Sequence, residues 1–230
     1  MKISLILPVY NEVKILEEST KKIKRVLNSL NYDYEIIIAE DGSTDGSDKV
    51  SARLAVQNSR IKHLHCDQRL GKGASLKNAF ANSCGNILIF SDVDLSTDLR
   101  FLPIFINSIQ QGYDICIGNR NLSNSETDRS LLREISSRAY IFLVKLLFNS
   151  KITDYQCGFK AFSRRVLNIL LNAKNSGWIW DTEVLLTAEK KRFKIKQVPV
   201  EWEERKGSHI KISDTLKMFY DVMKLKIIGY

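Results

Sequence analysis

The stretch N-I-L-I-F-S-D-V-D-L-S, residues 86–96, sets the apolar run Ile87-Leu88-Ile89-Phe90 directly before two carboxylates, Asp92 and Asp94. A short unbroken apolar run bounded by polar residues is the pattern of a strand buried on both faces, as in a parallel sheet. In open α/β sheets ligands bind beyond the carboxyl ends of the strands, so acids at that place are candidates for chemistry.

The same pattern recurs outward from this stretch. Lys2–Val9 reads as a buried strand, and after Asn11 the residues Leu16, Ile23, Leu27 and Leu30 follow helical spacing. Tyr34–Ala39 is strand-like, Asp41–Gly46 a turn, and Ser47 starts a helix carrying Val50, Leu54 and Ala55. Ile61–Cys66 is strand-like and Gly71–Ser83 helical. Alternation of short apolar runs with amphipathic helices predicts βαβ units and a largely parallel sheet. Further along, the pattern predicts strands at Asp114–Gly118 and Lys194–Val200, and helices at Ser130–Phe148, Ser163–Asn172 and Thr182–Lys191.

Composition narrows the class. A chain of 230 residues with 44% hydrophobic content suits one substantial domain, expected over residues 1–210, with a C-terminal amphipathic helix over 211–230. The net charge of +9 favours an anionic partner: nucleic acid, membrane or a phosphorylated ligand. Cys66, Cys84, Cys116 and Cys157 form no C-x-x-C pair, which argues against a cysteine zinc site and a disulfide scaffold and for a reducing, cytoplasmic compartment. His63, His65 and His209 show no metal-ligand arrangement and read as surface or structural residues. The start of the chain lacks the apolar length of a secretory signal, and the run Ala139–Phe148 is about half of the ~20 residues a membrane span needs.

Four strand ends carry polar clusters: Pro8-Val9-Tyr10-Asn11-Glu12, Glu40-Asp41-Gly42-Ser43-Thr44-Asp45-Gly46-Ser47, Arg69-Leu70-Gly71-Lys72-Gly73 and Asp92-Val93-Asp94. Singly, each has a plain structural explanation: an Asx turn, a glycine-rich loop without the full P-loop spacing, a pair of strand-end acids. Converging on one sheet edge, they suit a nucleoside-diphosphate sugar, whose base and ribose need polar partners and whose diphosphate needs neutralising. Hard Mg2+ or Mn2+ takes oxygen ligands, and Asp92 and Asp94 supply them.

With these motifs the sequence resembles the family 2 glycosyltransferases, inverting enzymes of the GT-A fold, almost from end to end. Asp92-Val93-Asp94 looks like the family's D-x-D motif. Within the family the chain is most similar to polyprenyl-phosphate hexosyltransferases, especially dolichyl-phosphate β-glucosyltransferases, with dolichyl-phosphate mannose synthases beside them. The carriers are Asp94-Leu95-Ser96-Thr97-Asp98, Thr153–Lys160, Pro199-Val200-Glu201-Trp202 and Gly207-Ser208. The Q-x-x-R-W signature of processive synthases is absent.

The resemblance implies roles. Pro8, Tyr10 and Glu12 with Asp41 hold the nucleoside, Glu40 stands where many relatives carry a second Asp, and Lys72 joins the donor-binding set. Asp92 and Asp94 meet the metal and diphosphate, with Ser96 where mannose synthases often offer Gln. Arg120 and Arg133 match phosphate-binding positions, assisted by Arg205 or Lys206; as ordinary solvated charges they would need no such role. The expected donor is UDP-glucose, or GDP-mannose, and the expected acceptor a dolichyl or other polyprenyl phosphate. Such a phosphate, with a second pKa near ~6, is mostly dianionic at pH 7 and needs no dedicated base. If the acceptor were a saccharide hydroxyl, Asp181 would be the candidate base; it equally suits a cap for the helix that follows.

Reaching a lipid requires docking at a membrane surface, on its cytoplasmic face. Leu216, Phe219, Tyr220, Met223 and Ile227 fall at helical spacing, with Lys211, Lys217, Lys224 and Lys226 nearby, which suits an interfacial helix and equally a helix packed on the core. A nucleic-acid module has only the net charge in its favour, without aromatic and basic interleaving, so no nucleic-acid partner is expected. A nucleotidyltransferase would need a Gly-rich loop where Tyr10-Asn11-Glu12 stands.

Overall fold

A computed structural model describes residues 1–128, 131–203 and 212–229, with the side chains of residues 128, 131–133 and 212–215 outside the description. The strands are β1 (Lys2–Val9), β2 (Asp33–Glu40), β3 (Ile61–Leu64), β4 (Ile87–Ser91), β5 (Ile115–Asn119), β6 (Glu126–Asp128), β7 (Phe159–Ser163), β8 (Ile195–Pro199) and β9 (Glu201–Glu203). The helices are α1 (Val13–Ser29), α2 (Ser47–Gln57), α3 (Lys72–Ala81), α4 (Leu102–Gln110), α5 (Leu131–Phe148), α6 (Leu167–Asn172), α7 (Trp180–Lys190) and α8 (Ile212–Ile228).

Seven strands form one sheet in the order β3-β2-β1-β4-β7-β5-β8, and β6 pairs β9 in a small ribbon. All neighbours in the large sheet run parallel except β7, which is antiparallel to both β4 and β5. The α/β, mostly parallel sheet expected from the sequence is therefore present, with one inverted strand, β7, next to the central β4.

Two apolar layers explain the unbroken hydrophobic runs. Ile3, Leu5, Leu7 and Val9 of β1, with Ile36 and Ile38 of β2 and Ile87 and Ile89 of β4, pack with Leu16, Ile23 and Leu27 of α1 and Phe105 of α4. The alternate residues Ile6, Ile37, Leu88 and Phe90 point into the other layer, with Leu76 and Phe80 of α3, Leu170 of α6 and Trp180 of α7. A strand with period-two alternation between two such layers has no polar face to show.

From β1 the order runs outward through β2 and β3 on one side and on to β4 on the other, so the sheet's direction of growth reverses between β1 and β4. Crevices form at such a reversal, outside the carboxyl ends of the strands. Tyr10-Asn11-Glu12 leaves β1 there, and Asp92-Val93-Asp94 leaves β4. Because β7 is inverted, its leading loop, residues 153–158, reaches the same edge, where Phe159 stands opposite Ser91. Arg120 follows the end of β5 on that edge as well.

Three differences from the expected elements have simple causes. The strand β7 at Phe159–Ser163 is not among the expected elements, because its short segment carries a buried Lys160 that masks its strand character. Ser163–Asn172, expected as one helix, is the end of β7, a 3-10 turn at Arg164–Val166, and α6. The predicted helix Thr182–Lys191 starts two residues earlier, at Trp180, with Ile179 at its N-cap, so Asp181 lies inside its first turn and is not the cap.

Candidate active site

The Asp92 and Asp94 loop is held from several sides. Asp92 N–H donates to the Gly158 carbonyl at 2.8 Å, and a Cβ on Gly158 would collide with the Asp92 carboxylate, so only glycine fits against it. Asp94 Oδ1 accepts from Ser96 N–H at 3.0 Å. Between them, buried Leu95 holds φ at 52°, a left-handed conformation that costs a branched residue about 1–3 kcal/mol and marks a position fixed by its surroundings. Beyond the motif β9 clamps the chain: Glu203 N–H donates to the Ser96 carbonyl, and Asp98 N–H to that of Glu201.

Charge is concentrated here. Lys72, at the start of α3, places Nζ 2.8 Å from Asp92 Oδ1 and above the rings of Phe90 and Trp178. Burial alone would lower its pKa; the carboxylates of Asp92, Asp181 and Asp94 outweigh it and hold the ammonium above its ordinary range. Burial, then Asp92, raises the Asp94 carboxyl. Burial, then Asp94, Asp45 and Asp92, pushes Glu12 up to about 7. Carboxylates that raise one another's pKa are short of positive charge, and their oxygens are the donor type of Mg2+ or Mn2+, so the residues present fit a divalent ion.

The loops around β1 and β2 lock together. Asn11 N–H donates to Ser43 Oγ, Glu12 N–H to Ser47 Oγ, and Thr44 N–H to Asn11 Oδ1, with Asn11 at φ 57°. Buried Asp41 accepts from the N–H groups of Leu70 and Gly71 at 2.7 and 2.9 Å, and Arg69 stacks on the Tyr10 ring at 3.8 Å. Pro8, in β1, is half-buried beside Ala39. Glu40, one residue from Asp41, lies on the other side of the strand, and its carboxylate meets Ser43 N–H and His65 Nδ1.

Arg120 and Asp154 form a bidentate pair, with Nε to Oδ2 at 2.7 Å and Nη2 to Oδ1 at 2.9 Å. Burial would lower the guanidinium pKa and raise that of the carboxyl; each partner overrides the penalty on the other, so both stay charged. Asp154 also accepts from Gln156 and Cys157 N–H, so Arg120 fixes the loop that brings Gly158 to Asp92. Asp181 Oδ1 lies 2.6 Å from Lys160 Nζ, both fully buried, and Lys160 also donates to the Cys157 carbonyl. Residue-by-residue reading missed Lys160, Asp154 and Gly158 as supports; the run Thr153–Lys160 carried the signal without showing how its members pair.

The expected phosphate-binding Arg133 sits in α5 with its side chain outside the described residues, as do Arg205, Lys206, Gly207, Ser208, His209 and Lys211 altogether. Next to Arg120 opens a groove of about 550 Å³, lined by Leu122, Arg138, Ile141, Phe142 and Lys145 among others. One expectation is reversed: among the described residues, the three metal-capable side chains close enough to share one ion are Glu40, His63 and His65.

The family model described as glycosyl transferase family 2 matches residues 4–170. Glycosyltransferase AglD of Haloferax volcanii is 37% identical over 97% of this chain, which spans 37% of AglD's length. A dolichyl-phosphate beta-glucosyltransferase of Trichomonas vaginalis is 30% identical over 98% of this chain and 73% of its own. The crystal structure of glucosyl-3-phosphoglycerate synthase from Mycobacterium tuberculosis with Mn2+, UDP and phosphoglyceric acid superposes with a TM-score of 0.72 at 20% identity, over 99% of this chain and 77% of that one. The matched span runs from β1 through both sheet-edge carboxylates to α6, and on that ground the chain belongs to glycosyl transferase family 2, with the GT-A fold.

Proposed function

We propose that this chain moves a hexose, glucose, from UDP-glucose to a polyprenyl phosphate such as dolichyl phosphate, with inversion, at the cytoplasmic face of a membrane. One observation carries it: the acidic Asp92 and Asp94 loop with its part-buried Lys72 stands at the same sheet edge as a groove that joins cations to apolar side chains. Lys145 and Arg138, the latter ion-paired with Glu134 of the same groove, suit a phosphate, and Leu122, Ile141 and Phe142 suit the first units of an isoprenoid chain. The names of the glucosyltransferase relatives agree with that acceptor and sugar.

Pro8, Tyr10, Glu12 and Asp41 would hold the nucleoside, with the Arg69 stack on Tyr10 covering the base. Asp92 and Asp94 would hold Mg2+ or Mn2+, which when bound neutralises the departing diphosphate. Lys72 adds a fixed positive charge beside it, stabilising negative charge where it accumulates. The acceptor phosphate attacks as a dianion, and Arg120, Arg138 and Arg133 would lessen its repulsion from the donor. Asp181, engaged by Lys160, has no observation favouring a role as base toward a saccharide hydroxyl.

No described helix is long and apolar enough to cross a membrane. Docking would use Phe142 and Leu146 of α5 with Leu216, Tyr220, Met223 and Ile227 of α8, all exposed, beside exposed Lys145, Lys217, Lys224 and Lys226. The test incubates purified protein and Mg2+ or Mn2+ with labelled UDP-glucose, UDP-galactose, UDP-N-acetylglucosamine or GDP-mannose and vesicles containing polyprenyl phosphate. Label from UDP-glucose is expected in the organic-extractable lipid. Transfer from GDP-mannose alone would replace the donor, and transfer only to soluble saccharide would replace the acceptor.

A further inference from the structure

On the sheet face covered by α1 and α2, three side chains converge that the proposed transfer does not need. His63 lies in β3 and His65 two residues on, so strand alternation puts both on one face. Ile38 stands opposite His63, and continuing that register by two residues sets Glu40 beside His65. One ring nitrogen of each histidine and one Glu40 carboxylate oxygen lie within 4.8 Å of one another. The Glu40 side chain is 0% exposed and that of His65 44%, so the cluster has a closed floor and an opening to solvent. Glu40 Oε2 meets His65 Nδ1 at 2.5 Å, and His65 Nε2 faces Asp67 Oδ1 at 3.3 Å. A hydrogen-bonded Glu-His-Asp chain accounts for those two contacts and leaves the third residue unexplained. His63 Nε2 is buried with no partner among the described residues, a state that costs about 1–3 kcal/mol.

We propose that Glu40, His63 and His65 hold a borderline transition-metal ion of the Zn2+ or Co2+ class, at a site separate from Asp92 and Asp94. Two imidazoles and a carboxylate are a donor set that Zn2+ takes, with water completing the shell. Mg2+ prefers oxygen ligands and does not compete for the imidazoles. Asp67 behind His65 is placed as a carboxylate that orients a ligating ring. The ion ties the ends of β2 and β3 to the loop of residues 65–71, which supplies the N–H groups bound to Asp41 and sets Arg69 on Tyr10.

The test titrates the intact protein with Co2+ in excess Mg2+, reading visible absorption, and follows thermal unfolding with Zn2+. About one equivalent of Co2+ is expected to bind with the absorption of a nitrogen-containing, low-coordinate site, and Zn2+ to raise the melting point. His65→Gln, at a half-exposed position, is expected to abolish both effects, and His63→Gln to match it. Asp67→Asn is expected to weaken binding about 10- to 100-fold. Asp92→Asn is expected to leave the Co2+ spectrum unchanged. The proposal is overturned by the absence of saturable binding, by equal binding in wild type and His65→Gln, or by a signal lost in Asp92→Asn and kept in His65→Gln.

Discussion

At the scale of single residues, the site depends on close approaches that only particular side chains allow. Gly158→Ala is expected to keep the fold and displace the Asp92 carboxylate; since a misplacement near 1 Å can cost about 10²-fold, turnover should fall by that order. Circular dichroism and nucleotide titration with Mn2+ check it, and unchanged nucleotide binding with unchanged turnover would refute it. Lys160→Met leaves Asp181 buried without its partner and is expected to destabilise the protein by about 3–5 kcal/mol in urea unfolding. Adding Asp181→Leu should recover much of that loss, because an apolar pair replaces an orphaned charge. Asp92, Asp94 and Asp41 are legible in the sequence because short polar motifs at strand ends announce themselves. Gly158 and Lys160 are not, because their partners lie 66 and 21 positions away, at Asp92 and Asp181, and only the folded sheet shows the pairing.

At the scale of elements, the strands from β1 to β4 follow from apolar runs between turn signals, whereas β7 does not. Its five residues include a charged one, and nothing local declares that it runs against its neighbours. The start of β2 is tied down by Glu35, which accepts from Ser4 Oγ at 2.5 Å and Cys84 N–H at 2.7 Å and pairs with Lys62 at 2.6 Å. Burial would raise this carboxyl; the Cys84 N–H, Lys62 and Ser4 together bring it down from 4.5 to about 2. The folded state thus binds this proton less tightly than the unfolded chain. Its stabilisation, at most about 3 kcal/mol, is complete above the unfolded value and is lost as pH falls toward about 2. Glu35→Gln is expected to flatten the acid limb of stability, measured as urea midpoints across that window. In α8 the sequence shows one apolar stripe where the structure has two apolar faces. Val222 and Leu225 are buried on the core with Phe219 packed against Tyr140, while Leu216, Tyr220, Met223 and Ile227 face outward. Tyr220→Glu with Met223→Glu should change stability by only ~0.5 kcal/mol and weaken sedimentation with anionic vesicles. Val222→Glu should instead unfold the helix from the body, since it buries a charge without a partner.

At the scale of the whole molecule, the two halves of the chain meet in one crevice. The first four strands bring the acids and the loops around them, and the later elements bring Arg120, the Gly158 support and the groove of mixed charged and apolar lining. The inverted strand β7, beside the central β4, gives this arrangement an order in time. The β1–β2 and β2–β3 pairs join neighbours a short connection away, whereas β4 reaches both its partners, β1 with Ile3 opposite Ile87 and β7 with Phe90 opposite Lys160, across much longer stretches of chain, and closing so long a loop is slow. Pulsed hydrogen exchange during refolding is expected to protect β1 and β2 amides before those of β5 and β7. Until β7 arrives, one edge of β4 has no partner, and such an edge templates pairing with other chains. A nascent or truncated chain that ends before residue 159 therefore carries its adhesive surface next to Asp92 and Asp94, and the arrival of β7 both brings the Gly158 carbonyl to Asp92 and shields that edge.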